Sequence, residues 1–168
     1  MFEYLKGKLA ELNPTYAVID IGGAGYFVNI SLHSYTKLQA LTDHNCTIFI
    51  HQIVREDAHI LFGFSEKNER NLFRHLISVS GIGANTARTM LSSINPKEIQ
   101  QAILGGDVNT LKSVKGIGLK TAQRIILDLK DKLGKIDEST EIFISKDNTI
   151  KEEALSALIA LGFPKKTV

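Results

Sequence analysis

Ser78-Val79-Ser80-Gly81-Ile82-Gly83-Ala84-Asn85-Thr86-Ala87 and, thirty-five residues on, Ser113-Val114-Lys115-Gly116-Ile117-Gly118-Leu119-Lys120-Thr121-Ala122 agree at seven of ten positions. This is an internal repeat, and each copy lies between two runs of helical period. Each Gly-Ile-Gly must therefore turn the chain sharply from one helix into the next. Glycine suits both ends of such a turn, because it accepts positive φ and lets the backbone come close to another molecule. The residue between the glycines, Ile82 or Ile117, is placed to point back between the helices as a plug. The second glycine leads straight into a helix whose first amides have no partner within the helix and carry partial positive charge. Such a hairpin is a seat for an anion, and if the anion is a backbone phosphate the contact is blind to base sequence. A single Gly-x-Gly between helices is equally well a tight connection. Two copies at a fixed offset, each with Thr-Ala opening the next helix, argue for more than that.

Working outward, the period from Glu66 is helical, with Leu72, Phe73, Leu76 and Ile77 on one stripe and Arg70, Arg74 and His75 off it. Thr86 to Leu91 reads as the second helix of the first copy. Asn95-Pro96-Lys97-Glu98 reads as a helix start, capped by Asn95 with Pro96 in the first turn. That helix runs to Leu104 and ends at Gly105-Gly106; Asp107 caps the next, which leads into the second hairpin. Leu119 to Leu133 reads as a long amphipathic helix with Ile125, Ile126 and Leu129 inward. Residues 64–134 are thus expected to be an all-α unit of five helices. Its candidate DNA contacts are Gly81, Ile82, Gly83, Gly116, Ile117 and Gly118, supported by Lys115, Lys120 and Arg124. The first copy is poorer in cations, with Asn85 at the place of Lys120 and Arg88 after it. A helix face with Lys and Arg is ordinarily just a solvated face. Here Lys120 follows the second glycine by two residues, within reach of the anion that the hairpin would hold. The motif resembles the helix-hairpin-helix, and the tandem resembles the double unit that grips a duplex across its minor groove, one hairpin per strand.

Charge follows the same division. The net charge of +2 over 168 residues separates into 4 basic and 6 acidic side chains in residues 1–63, 11 and 6 in residues 64–134, and 5 and 6 in residues 135–168. A basic middle carrying anion seats points to nucleic acid. The 43% apolar and 23% charged composition is that of an ordinary globular protein. Cys46 is the lone cysteine, so no intramolecular disulfide is available, and it has no companion at metal-ligand spacing. No leader-like or membrane-length apolar run is visible, and a cytoplasmic protein is expected.

Residues 1–63 have the period of strands: a loose alternation from Phe2 to Leu12, then Tyr16–Ile21, Tyr26–Ile30, Thr47–Val54 and His59–Phe64. Five short strands with glycine turns suggest a small closed barrel of the OB type. Gly22-Gly23-Ala24-Gly25 is no dinucleotide fingerprint, because no helical pattern follows it. Glu56-Asp57 falls in the link between the last two strands. Such a pair is ordinarily a solvated turn; it could also repel nucleic acid or hold a metal. His51 and His59 flank the turn, but no third ligand stands near them in sequence. In the tail, residues 135–148 lose clear period and suit a linker. Thr149 with Glu152 then looks like a helix cap, and Ala154, Leu155, Leu158 and Ile159 make an apolar face.

Val54-Arg55-Glu56-Asp57-Ala58 with Leu61-Phe62-Gly63-Phe64, the paired hairpins, and the run from Glu153 to Phe163 together resemble the RuvA family, the Holliday-junction-binding proteins of the bacterial branch migration complex. The resemblance covers nearly the whole chain. It implies an α+β architecture: an N-terminal OB-fold barrel (1–63), a tandem helix-hairpin-helix domain (64–134), a linker (135–148), and the start of a UBA-like helical domain (149–168), of whose three helices one fits. It also implies that Glu56 and Asp57 are an acidic pin at the centre of a homotetramer, with Arg55 facing the junction. Leu155, Leu158, Leu161, Gly162 and Phe163 would then contact the hexameric ATPase RuvB. Implied partners are four-way junction DNA, RuvB and the resolvase RuvC, with a tetramer or a pair of tetramers as the assembly. The implied setting is recombination, DNA repair and the SOS response, with no catalytic residue, cofactor or metal in this subunit. The family often carries lysine where this chain has Asn85 and Leu119, which would throw phosphate contact there onto backbone amides.

Two further readings bear on chemistry. Gly118-Leu119-Lys120-Thr121 lacks the adjacent Gly-Lys and the preceding strand of a phosphate loop, so work on DNA would come from a separate ATPase. A different class is a repair glycosylase or nuclease that uses the hairpins to hold its substrate. The first would need an aspartate in a pocket beyond the hairpin, for which Asp128 and Asp131 are the candidates, although helix charge pairs explain them more simply. The second would need clustered carboxylates, of which Glu56-Asp57 is the only adjacent pair outside the tail.

Overall fold

The computed structural model describes residues 1–41 and 45–142, with side chains through 134. The chain divides into two compact units, Met1–Asp131 and Lys132–Val168. In the first unit five strands close into a barrel: β1 (Tyr4–Asn13), β2 (Tyr16–Ile21), β3 (Ala24–Ile30), β4 (Asn45–Val54) and β5 (His59–Phe64), in the order β1-β2-β3-β5-β4. All neighbours are antiparallel except β3 and β5, which run parallel through Asn29↔Phe62 and Ile30↔Gly63. The interior is set by the two-residue period of the strands: Leu5, Leu9, Ala17, Ile19, Val28, Ile30, Ile48 and Ile50 are all buried. Closure is tight at Gly63, where a Cβ would lie 2.5 Å from Ile48 Cδ1.

A helix not foreseen from sequence follows β3: α1 (Leu32–Gln39), capped by Ser31, whose Oγ accepts from the Ser34 amide at 3.0 Å. Its anchor lies far along the chain. In α2 (Lys67–Ile77), Glu69 is wholly buried, with the Ser31 hydroxyl donating to one carboxylate oxygen and the Ser34 hydroxyl to the other at 2.6 Å. Burial pushes the Glu69 carboxyl above the ordinary range, while the two hydroxyls pull the other way.

α2 is also the joint between barrel and hairpins. Leu72, Phe73 and Leu76 are buried, and the Phe73 ring packs on Phe64 and Phe62 at 4.8 and 5.2 Å between centroids. Arg70, expected off the apolar stripe, is buried instead. Its guanidinium lies 5.6 Å from the Phe49 ring centroid and binds Glu3 through the backbone oxygen (2.9 Å) and the carboxylate (2.5 Å). Burial here is possible because the charge is paired. Arg74 Nε donates to Nδ1 of His51 at 3.4 Å; burial, then the nearby Arg74 and Arg70 charges, hold the His51 imidazole below its ordinary pKa.

The remaining helices are α3 (Ala84–Ser93), α4 (Pro96–Gly105), α5 (Val108–Lys112) and α6 (Leu119–Ile142). Asn95 and Asp107 cap α4 and α5 as their sequence indicates, and Gly106 ends α4 in the left-handed region at φ 73°. Of the three residues expected inward on α6, Ile125 and Leu129 are buried and Ile126 is half-buried. α6 does not stop near Leu133. It continues through residues 135–142, where loss of period suggested a linker, because a lone glycine at 134, costing about 1 kcal/mol, with no proline in the stretch that follows, does not break a helix already nucleated. The rest of that segment, the expected UBA-like segment (149–168), and the candidate contacts Leu155, Leu158, Leu161, Gly162 and Phe163 lie outside the described residues.

Candidate nucleic-acid interface

The two copies of the repeat fold identically at the level of individual bonds. In the first, the amides of Val79, Ile82 and Ala87 donate to the carbonyls of Leu76, Val79 and Gly83 at 3.1, 3.0 and 2.9 Å. In the second, Val114, Ile117 and Ala122 donate to Leu111, Val114 and Gly118 at 3.4, 3.0 and 2.9 Å. Gly81 and Gly116 share φ 93°, a conformation L side chains rarely adopt. Ile82 and Ile117 are 5% and 4% exposed and plug their hairpins as the sequence requires.

The second glycines have a different reason. Gly83 has φ −84° and ψ 165°, open to any residue, and a Cβ built on Gly83 or Gly118 meets nothing within 4 Å. Nothing among the described residues demands glycine at either place. Gly83 also caps α3 without a side-chain hydrogen bond, leaving first-turn amides without an acceptor among the described residues. A backbone bare at this point, with unpaired donors beside it, is shaped for close approach of an anion from outside.

Side chains around the two seats differ. Lys115 and Lys120 are exposed, with Lys112 exposed nearby. Arg124 Nε pairs with Asp128 at 3.8 Å, one helical turn on. At the first seat Asn85 is exposed, but Arg88 turns away: its guanidinium donates to the Thr15 carbonyl (3.1 Å) and to Asn29 Oδ1 (3.2 Å), fastening α3 to the barrel. Burial lowers the Arg88 pKa from its ordinary value, yet arginine stays charged throughout the working range. The sequence placed Arg88 with the candidate DNA contacts, and the structure commits its guanidinium to the barrel. Likewise Arg70 and Arg74 are paired with Glu3, so the excess of basic residues in 64–134 overstates the charge offered at the surface, and of the two seats the second is the richer in exposed cations.

The third group lies in the barrel. Arg55-Glu56-Asp57-Ala58 is a tight turn between β4 and β5, closed by the Arg55 amide donating to the Ala58 carbonyl at 2.8 Å. Glu56 and Asp57 are exposed and make no ion pair among the described residues. No group of three or more His, Cys, Asp or Glu side chains capable of holding a metal is found among those residues, and none of their helices is long and apolar enough to cross a membrane.

Comparison with known proteins agrees with this arrangement. Residues 1–63 match the model of the RuvA N-terminal domain, and residues 73–131 match the SAM-like helix-hairpin-helix tandem. The chain is 54% identical to a protein of Christiangramia forsetii over 99% of its own length and 85% of that protein's, and 56% identical to one of Flavobacterium psychrophilum over 99% and 86%. It is 48% identical to one of Bacteroides thetaiotaomicron over 97% and 84%. Each of the three is named Holliday junction branch migration complex subunit RuvA. The chain belongs to the RuvA family. The barrel turn and both hairpins lie in one compact unit, and the start of α3 at the first hairpin shares a groove with the turn, although sequence alone shows them only in order. Phe27 and Asn29, which also line the groove beside the first hairpin, carried no local signal; their placement follows from the parallel β3–β5 pairing. His59, noted in sequence only as flanking the acidic turn, lines the same groove.

Proposed function

We propose that this RuvA-family chain is the non-catalytic DNA-recognition subunit of an ATP-driven branch migration complex and binds four-way junctions by structure rather than sequence. The observation that carries the reading is the bond-for-bond equivalence of two hairpins whose second glycines serve no packing purpose among the described residues. Gly81, Ile82, Gly83 and Asn85 would form one phosphate seat, and Lys115, Gly116, Ile117, Gly118, Lys120 and Arg124 the other. Arg88 would act through the barrel rather than on DNA. Four copies about an axis would present eight seats, two to each duplex arm. Glu56 and Asp57 of each copy, next to Arg55, would gather near the axis, repel phosphates at the crossover and favour the open junction. Like charges this close also repel one another, a cost the basic seats must offset. A hexameric ATPase, RuvB, would supply the work, engaged through Leu155, Leu158, Leu161, Gly162 and Phe163; RuvC would act on the same junction in the cytoplasm.

The test is binding to a synthetic four-way junction of arbitrary sequence, with Mg²⁺ and without ATP, at 50 and 200 mM salt. Eight seats holding about one phosphate each predict an affinity loss of about 10³–10⁵ across that range, with every strand intact. Salt-insensitive binding, or cut strands, would refute the reading; cutting would move the protein to the nuclease class.

A further inference from the structure

The barrel and the first hairpin enclose a groove of about 540 Å³. One side is apolar, formed by Phe27, Ile53, Ile60 and Leu61; the other is the segment Gly83–Thr86 at the start of α3. Arg55 and His59 also line it, and no carboxylate does. Neither of these two side chains has a hydrogen-bond partner among the described residues, and both are exposed. Its volume is within the range of pockets that hold one small ligand, about 300–1,000 Å³, and far short of a duplex.

Phe27 is the unusual member. A phenylalanine 55% exposed on a strand of a closed barrel does nothing for the core. One face of its ring is stacked on Tyr16 of β2, with centroids 4.8 Å apart and planes at 25°. In barrels of this type the face of strands 2 and 3, between the loops joining strands 1–2 and 4–5, is where oligonucleotides bind. Here the 4–5 loop is the turn Arg55–Ala58, and the 1–2 loop is tied to α3 through Arg88 and Thr15. The first hairpin therefore covers part of that face and turns it into the groove.

We infer that this groove receives one unpaired nucleotide of a DNA junction, with its base against Phe27 and its phosphate toward Arg55 and His59. The inference rests on the junction reading above and adds to it. Base pairs at a crossover must open before strands exchange partners, and a released base then needs a surface. Stacking on an aromatic ring is indifferent to which base it is, as migration through any sequence requires.

The experiment uses the full chain and two DNAs, a four-way junction with one extra unpaired thymidine at the crossover and a linear duplex with the same nucleotide bulged. Each is compared with its counterpart that is abasic at that position. The wild-type protein should bind the base-bearing form of both about tenfold more tightly than the abasic form. Phe27→Ala should bring that ratio to about one, and Phe27→Tyr should retain it. A wild-type ratio of one on both DNAs, or a ratio that Phe27→Ala leaves unmoved, overturns the inference. Loss of junction preference with the ratio kept on the bulged duplex would refute the junction reading and leave the groove assignment standing.

Discussion

Each hairpin contains two glycines in different backbone conformations, the first at positive φ and the second not, so alanine at one or the other should damage different properties. Gly81 and Gly116 sit at φ 93° with open space where a Cβ would go. Alanine there meets no atom and pays only for the backbone, about 1–3 kcal/mol at each site. For a compact unit of this size, at roughly 3–5 °C per kcal/mol, the double variant Gly81→Ala/Gly116→Ala should melt on the order of 10 °C lower. Gly83 has an ordinary φ and the same open space; alanine there forgoes only the mild preference of a helix N-cap for glycine, about 0.5–1 kcal/mol. Its methyl group, and that at Gly118, would stand between the hairpin amides and a phosphate. Losing charge-assisted hydrogen bonds worth about 1.5–3 kcal/mol each should weaken junction binding at least tenfold. Thermal melting by circular dichroism and gel shift on one junction, run on both double variants, separate the two costs. Near-wild-type binding by a stably folded Gly83→Ala/Gly118→Ala protein would refute the assignment of these glycines to an external phosphate.

Three more outcomes follow from contacts within the fold. Because burial raises the folded-state pKa of Glu69, the stability present below the ordinary glutamate range is lost as pH rises through the raised value; Glu69→Gln should flatten that acid-side slope in urea melts, and a slope identical to wild type would show that the group does not titrate there. Arg88→Met removes the donor to Thr15 and Asn29 and should cost about 1–2 kcal/mol of stability while leaving the salt dependence of junction binding unchanged, whereas Lys120→Ala should reduce that slope. Gly63→Ala drives a methyl group into Val28 and Ile48 inside the barrel and should cost about 1–3 kcal/mol, read as a lower urea midpoint.

What could be read from sequence was local. The hairpin turns are specified by glycine spacing, and the caps Asn95 and Asp107 by residues within three positions of the amides they bind. The strands follow from two-residue alternation. What could not be read depends on partners far along the chain. α1 has a single well-buried apolar residue, Leu38, and its cap is completed by Glu69, thirty-eight positions from Ser31. Arg70 and Arg88 look like surface cations until Glu3, Thr15 and Asn29 are brought beside them. The continuation of α6 to Ile142 lacked a breaker as well as a period. Of the candidate site, both hairpin turns and the acidic turn were legible; the groove between the barrel and the first hairpin exists only once the barrel has closed.

The most direct measurement is a competition between a four-way junction and a linear duplex of equal length and composition, repeated with several unrelated sequences and with Glu56→Gln/Asp57→Asn. Wild-type protein should prefer the junction by an order of magnitude or more, whatever the sequence, and the neutralised turn should narrow that preference by admitting duplex more readily. Equal affinity of the wild-type protein for junction and duplex would contradict the account.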